Sequence, residues 1–109
     1  MKYINLTPHD INIVTAEGKK VNFPKSGKVA GIKEVNGVFN GLVRSDNLSD
    51  VQGLPKPQKG VIYIVSMPTL LAVRASGDGR KDLVCPITRG AGVVKKNGQI
   101  ISVPGLRTF

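Results

Sequence analysis

Val61-Ile62-Tyr63-Ile64-Val65 is the longest uninterrupted apolar run in the chain. Elsewhere apolar positions alternate with polar ones or stop sooner. A run of β-branched and aromatic residues without alternation predicts a strand covered on both faces. Lys59-Gly60 and Ser66-Met67-Pro68 bracket it. Beyond it, Leu70, Leu71 and Val73 read as one apolar face, with Arg74 turned away. That spacing predicts a short helix with Ser66 as N-cap and Pro68 in the first turn, where a missing N–H costs little. Ser76-Gly77-Asp78-Gly79 closes it, because glycine readily takes the left-handed conformation just past a helix end. Leu83-Val84-Cys85 before Pro86 predicts a second strand. Residues 60–86 therefore form a strand-helix-strand unit, and two such strands in one sheet are expected to be parallel with a right-handed crossover. A helix of about two turns depends on packing more than on propensity.

The rest of the chain reads as short strands and turns. Residues 3–6 predict a strand that stops at Thr7-Pro8-His9-Asp10, a turn or edge corner, since Pro8 has no N–H for a central ladder. Ile11, Ile13 and Val14 carry the next strand. Residues 16–19 make a hairpin turn, and Lys20-Val21-Asn22-Phe23 alternates as a half-buried strand does. Residues 28–35 alternate without fixing which face is inside. Asn36-Gly37 predicts a type I′ hairpin with residues 38–43 returning. Residues 44–59 are irregular, and Leu54-Pro55-Lys56-Pro57 is stiffened by its prolines. Residues 88–92 form a Gly-flanked loop carrying Arg89. A second Asn-Gly hairpin turns at Asn97-Gly98, and Pro104-Gly105-Leu106 closes the fold. The pattern predicts α+β architecture: a strand-rich twisted sheet or partly open barrel with one short helix, as a single domain over residues 1–109.

Composition agrees with this reading. The chain has 109 residues, 40% of them hydrophobic, with 13 Gly and 7 Pro, which suits strands and turns. Its longest apolar run is far below the roughly 20 residues of a membrane helix, and MKYINLTPHD lacks a signal-peptide core. One cysteine, Cys85, excludes an internal disulfide and fits a reducing cytoplasm. Its apolar strand predicts a buried structural thiol. The formal charge is +9, from 16 Lys and Arg against 7 Asp and Glu. Such an excess attracts anionic partners: nucleic acid, nucleotides or acidic protein surfaces. The basic residues are dispersed, in pairs at most, so the bland alternative is a solvated surface that keeps the protein soluble.

Chemistry is constrained by scarcity. His9 is the single histidine, so any Ser-His-Asp or Cys-His scheme must pass through it. The local reading has Thr7 and Asp10 bonding nearby backbone while His9 packs at a corner; ligand contact is the sharper alternative. One His and one Cys fall short of a zinc set, and no Asp-x-Asp cluster or GxxxxGK[ST] loop occurs. No cofactor is expected. Asp82 orients Arg80 and Lys81, or holds a ribose hydroxyl, or serves as a solvated ion-pair partner. The strongest positive signal is the turn at residues 66–69. A helix N-terminus presents free N–H groups and a positive dipole end, here at the carboxyl end of a central strand, where open sheets place ligands. In a parallel pair, Arg80 and Lys81 sit at the other end, which leaves Arg89 as the better partner for Ser66.

NLTPHDI at residues 5–11, FPKSGKVA at 23–30, GLPKPQKGVIYIVS at 53–66, GRKDLVCP at 79–86 and NGQIISVPGL at 97–106 together resemble a family of small, mostly uncharacterised bacteriophage and prophage proteins. The resemblance implies a phage accessory role inside the host cytoplasm. By analogy, small phage proteins of this size blunt host defences, some by binding nucleotide immune signals. The leading expectation is a non-catalytic anti-defence protein that sequesters an anionic nucleotide-type signal. Ser66, Thr69 and Arg89 would hold phosphate, and His9 or Tyr63 would contact a base or ribose. The alternatives are a protein-directed inhibitor acting on an acidic host protein through a basic surface, and a nucleic-acid-binding protein. Exposed strand edges in so short a sheet also point to a homo-oligomer.

Overall fold

The structure of the chain, a computed structural model, describes residues 1–34 and 49–108. In chain order these form β1 (Lys2–Asn5), β2 (Ile11–Val14), β3 (Lys20–Phe23), β4 (Gly31–Glu34), β5 (Ser49–Gln52), β6 (Val61–Ile64), α1 (Met67–Ala75), β7 (Leu83–Pro86), β8 (Val94–Lys96), β9 (Gln99–Ser102) and β10 (Leu106–Arg107). A sheet ordered β1-β6-β7-β10 is surrounded by three two-stranded pairs, β2-β3, β4-β5 and β8-β9. The fold is α+β and strand-rich, with twisted sheets that do not close into a barrel.

The strand-helix-strand expectation holds. β6 pairs parallel with β7, Tyr63 opposite Leu83 and Ile64 opposite Val84. On its other edge β6 pairs parallel with β1. Both faces of β6 are covered, as its unbroken apolar run requires. Tyr63, Val65, Leu83 and Cys85 face α1 and form one buried cluster with Leu6, Ala30, Leu70 and Val73. Ile64 faces the opposite way and is buried with Ile11, Ile13 and Val103. The parity of a pleated strand sends alternate residues to opposite faces, so one sheet separates two apolar layers.

The helix differs from expectation in detail. Ser66 stands at the N-cap position with extended backbone, but its hydroxyl caps no backbone N–H. It bonds the Thr69 hydroxyl at 2.8 Å instead. Thr69 is 1% exposed, and a buried hydroxyl needs a partner. Leu71, expected on the apolar face, is 44% exposed; Thr69, Leu70 and Val73 are the buried positions. Gly77, at φ 81°, follows the helix in the left-handed conformation.

Residues 44–59, read as irregular, contain β5, which pairs antiparallel with β4. The reading missed it because Ser49-Asp50-Val51-Gln52 has weak strand propensity. The predicted Asn36-Gly37 hairpin and its return strand, residues 38–43, lie outside the described residues. Ala30 is the inward residue of its segment and Val29 is exposed. The second Asn-Gly hairpin is present. Asn97 and Gly98 both have positive φ, 53° and 77°, which the two-residue turn between β8 and β9 requires. The closing segment does more than expected, since Leu106 and Arg107 add β10 antiparallel to β7.

One polar side chain holds the carboxyl end of β1 to its neighbours. Asn5 is 2% exposed. Its Nδ2 donates to the carbonyls of His9 and Phe23 at 2.8 and 2.9 Å. Its Oδ1 accepts from the Thr7 N–H at 2.9 Å and the Thr7 hydroxyl at 2.6 Å. The Asn5 carbonyl accepts from the Ser26 hydroxyl at 2.7 Å. This set ties β1, the corner after it, the end of β3 and the segment leading to β4. Asn5→Ala strands several buried groups at once, and each costs roughly 1–3 kcal/mol when unpaired. Urea unfolding of Asn5→Ala is therefore expected to show a loss of about 2–4 kcal/mol. A loss below about 1 kcal/mol would show that the network is dispensable.

Candidate functional site

β1 and β6 end level, Asn5 opposite Ile64, and β7 runs the same way but two residues further, from Val84 opposite Ile64 to Pro86. Three connections therefore leave one end of the sheet: the corner carrying His9, the Ser66 turn into α1, and the loop carrying Arg89. The geometric expectation that Arg89 departs from the same end as Ser66, with Arg80 and Lys81 at the other, holds in this topology. His9 and Arg89 are exposed and Ser66 is half-buried. α1 has no acidic residue in its first turn to offset the positive end of its dipole.

Two of the proposed contacts belong to the core. Tyr63 and Thr69 are each 1% exposed. Tyr63 packs under α1, and its hydroxyl makes only a long 3.5 Å contact to the Lys56 carbonyl. Thr69 uses its hydroxyl on Ser66. Neither presents a surface to a ligand in this conformation. His9, expected to pack at the corner, is exposed, while its backbone is held: Asn5 Nδ2 donates to the His9 carbonyl, and the His9 N–H donates to the Thr7 hydroxyl oxygen. Thr7 bonds nearby backbone as expected, whereas Asp10 Oδ1 accepts from the Lys25 N–H at 2.9 Å, 15 residues along the chain.

At the opposite end of the sheet, Asp82 orients Arg80. The Arg80 Nε and Nη2 donate to the two Asp82 carboxylate oxygens, both at 2.7 Å. Nη2 also donates to the Pro55 carbonyl at 2.9 Å. The guanidinium lies 6.0 Å from the centroid of the Tyr63 ring. The side chains of Arg80 and Asp82 are 9% and 14% exposed, so this is a largely buried fork and not the solvated pair that local spacing suggests. Hydrogen bonding to Arg80 holds the Asp82 carboxyl below its ordinary range, against desolvation, and the same bond raises Arg80. Arg74 donates to the Arg80 carbonyl and, at 3.3 Å, to the Thr108 hydroxyl. Arg74, Gly79, Lys81 and Thr108 line an open cleft of about 460 Å³.

Several polar and thiol groups are held by the fold. Cys85 is fully buried, and desolvation pushes its thiol up from its ordinary value. Thr7 is held by Asn5, and Asp82 by Arg80. Among the described residues no cluster of His, Cys, Asp and Glu side chains could hold a metal ion, and no helix is long and apolar enough to cross a membrane. Comparison with protein-family models, curated proteins and solved structures returned no match.

The Asp82 carboxyl gives a pH signature. Its folded-state value is depressed, so the stability it supplies is present above the unfolded value of about 4 and is lost as pH falls through the folded value. Asp82→Asn removes that dependence. Between pH 5 and pH 2, the urea midpoint of the parent protein is expected to fall more steeply than that of Asp82→Asn. Parallel curves would show that the fork contributes nothing to acid stability.

Proposed function

We propose that this protein is a non-catalytic phage accessory protein that captures an anionic, nucleotide-type ligand of host defence. The observation that carries the reading is how its polar side chains are used. Asn5, Thr7, Asp10, Thr69 and Asp82 are engaged in holding the fold. Lys2, Lys19, Lys20, Lys25, Lys28, Arg89, Lys95 and Lys96 are exposed. A surface of that kind suits an anionic partner. The shared end of β1, β6 and β7 offers Arg89, His9 and the uncapped start of α1 to such a ligand, with Ser66 beside them. Arg89 supplies a planar fork suited to phosphate. His9, exposed at the corner after β1, is the residue that would meet a base or ribose.

A second reading is favoured by β8-β9. Lys95, Lys96, Val94, Ile100 and Ile101 are all exposed on this hairpin. A register shift between Val94 and Lys95 re-aims the strand, so that consecutive isoleucines stand in solvent. Cations beside exposed apolar side chains suit an acidic protein partner with an apolar centre. This corresponds to a protein-directed inhibitor.

Calorimetric titration against cyclic and linear nucleotides separates the readings. Saturable binding is expected for the parent protein, weakened about tenfold in Arg89→Ala, the cost of losing one charged hydrogen-bonding group. A folded protein that binds none of the nucleotides contradicts the leading reading. Capture of a host protein in the presence of nuclease, lost on replacing Ile100 and Ile101 with Ser, supports the second.

A further inference from the structure

Among the described residues β8 pairs only with β9. β9 turns its other edge to β2, where Asn12 Nδ2 donates to the Ile101 carbonyl at 3.3 Å. The outer edge of β8 is therefore unpaired. We propose that this edge receives an extended acidic segment of a partner protein as a further strand. The proposal rests on the protein-directed reading above and gives that surface an occupant and a geometry.

Backbone direction comes first. Asn97 and Gly98, both at positive φ, make a two-residue turn that closes on Lys96 and Gln99 as a hydrogen-bonded pair. Along an antiparallel ladder such pairs alternate with non-bonded ones. Lys95, the next residue, therefore directs its N–H and carbonyl away from β9. Groups presented in this way are what an incoming strand binds.

Side chains decide what kind of strand fits. Lys95 and Lys96 are exposed, and among the described residues neither has an ion pair or a side-chain hydrogen bond. Residues 83–109 hold Arg89, Lys95, Lys96 and Arg107 but no Asp or Glu. β2, packed beside β9, carries no acid either. Val94, Ile100 and Ile101 are 45%, 42% and 46% exposed. An acidic segment with interspersed apolar residues meets both demands.

Two other occupants fit less well. A second copy would set the lysines of one edge against those of the other, and edge lysines are a means by which sheets oppose self-pairing. Single-stranded nucleic acid stacks its bases on aromatic rings, whereas the exposed apolar residues of this hairpin are aliphatic.

The test selects peptides from a displayed random library on the immobilised full chain, then follows amide exchange in the ¹⁵N-labelled protein. The selected peptides are expected to be rich in Asp and Glu. Their binding should protect the Lys95 amide, which exchanges freely without them. Lys95→Ala should weaken binding about fivefold, the upper range for one exposed charge. Lys95→Pro, which also removes the outward N–H at a strand edge that tolerates proline, should abolish it. Acidic peptides that shift the Ile100 and Ile101 amides but leave Lys95 exchange unchanged would overturn the added strand while supporting the protein-directed reading. Peptides that bind nowhere on this hairpin would overturn the added strand, and a hairpin that also captures no host protein would overturn both. An oligo-dT probe that occupies the hairpin more tightly than the selected peptides would overturn the proposal in favour of nucleic acid.

Discussion

β6 is hydrogen-bonded along both edges and covered on both faces, and the other elements are arranged by that requirement. Its Tyr63 N–H donates to the Asp82 carbonyl at 2.8 Å, and the Val65 N–H just beyond it to the Val84 carbonyl at 2.9 Å. On the other edge the Ile64 carbonyl accepts from the Leu6 N–H at 2.8 Å. Tyr63, Ile64 and Val65 are almost fully excluded from solvent. Each such side chain is worth roughly 1.5–3 kcal/mol relative to exposure. A strand of this kind needs a layer on each side. α1 supplies one, while the β2-β3 hairpin and Val103 supply the other.

Parallel pairing has a cost at its ends, because each parallel strand must be re-entered by a crossover. Two polar networks manage this. At the carboxyl end Asn5 gathers four hydrogen bonds from the corner and from β3. At the amino end Arg80 joins Asp82, Pro55 and the face of Tyr63, so the proline-stiffened approach to β6 is clamped to the start of β7. Asn5, Thr7, Arg80 and Asp82 are thereby committed to the fold. Exposed cations stand on several elements, Arg89 at one end of this sheet and Lys81 at the other among them. A total charge cannot distinguish those ends; strand direction does.

How far this was legible in the amino-acid order depends on the range of each interaction. The Val61–Val65 run announced a strand buried on both faces because its composition reports local environment. Gly77, Asn97-Gly98 and the buried Cys85 were legible for the same reason. Ser66 looked like an N-cap because the motif is local, but its hydroxyl answers the buried Thr69 hydroxyl, a demand created by packing. Tyr63, expected to contact a base or ribose, is core, its ring beneath Arg80. Asn5 gave no signal at all. Its partner Phe23 is 18 residues away, and no local rule connects them. Arg80 likewise reaches Pro55 across 25 residues. At the candidate site, the prediction that Arg89 shares an end with Ser66 needed only strand direction. The cleft at Arg74 needed tertiary structure, since Thr108 lies 34 residues from it.

Native-state amide hydrogen exchange tests the central claim most directly. If β6 is the strand on which the other elements depend, the amides of Tyr63, Ile64 and Val65 are the slowest in the protein. They should exchange only through global unfolding, with an opening free energy equal to that measured in denaturant. The β8-β9 hairpin, exposed along almost its whole length, should open far more easily. Faster exchange in β6 than in the β2-β3 or β8-β9 hairpins would contradict the account.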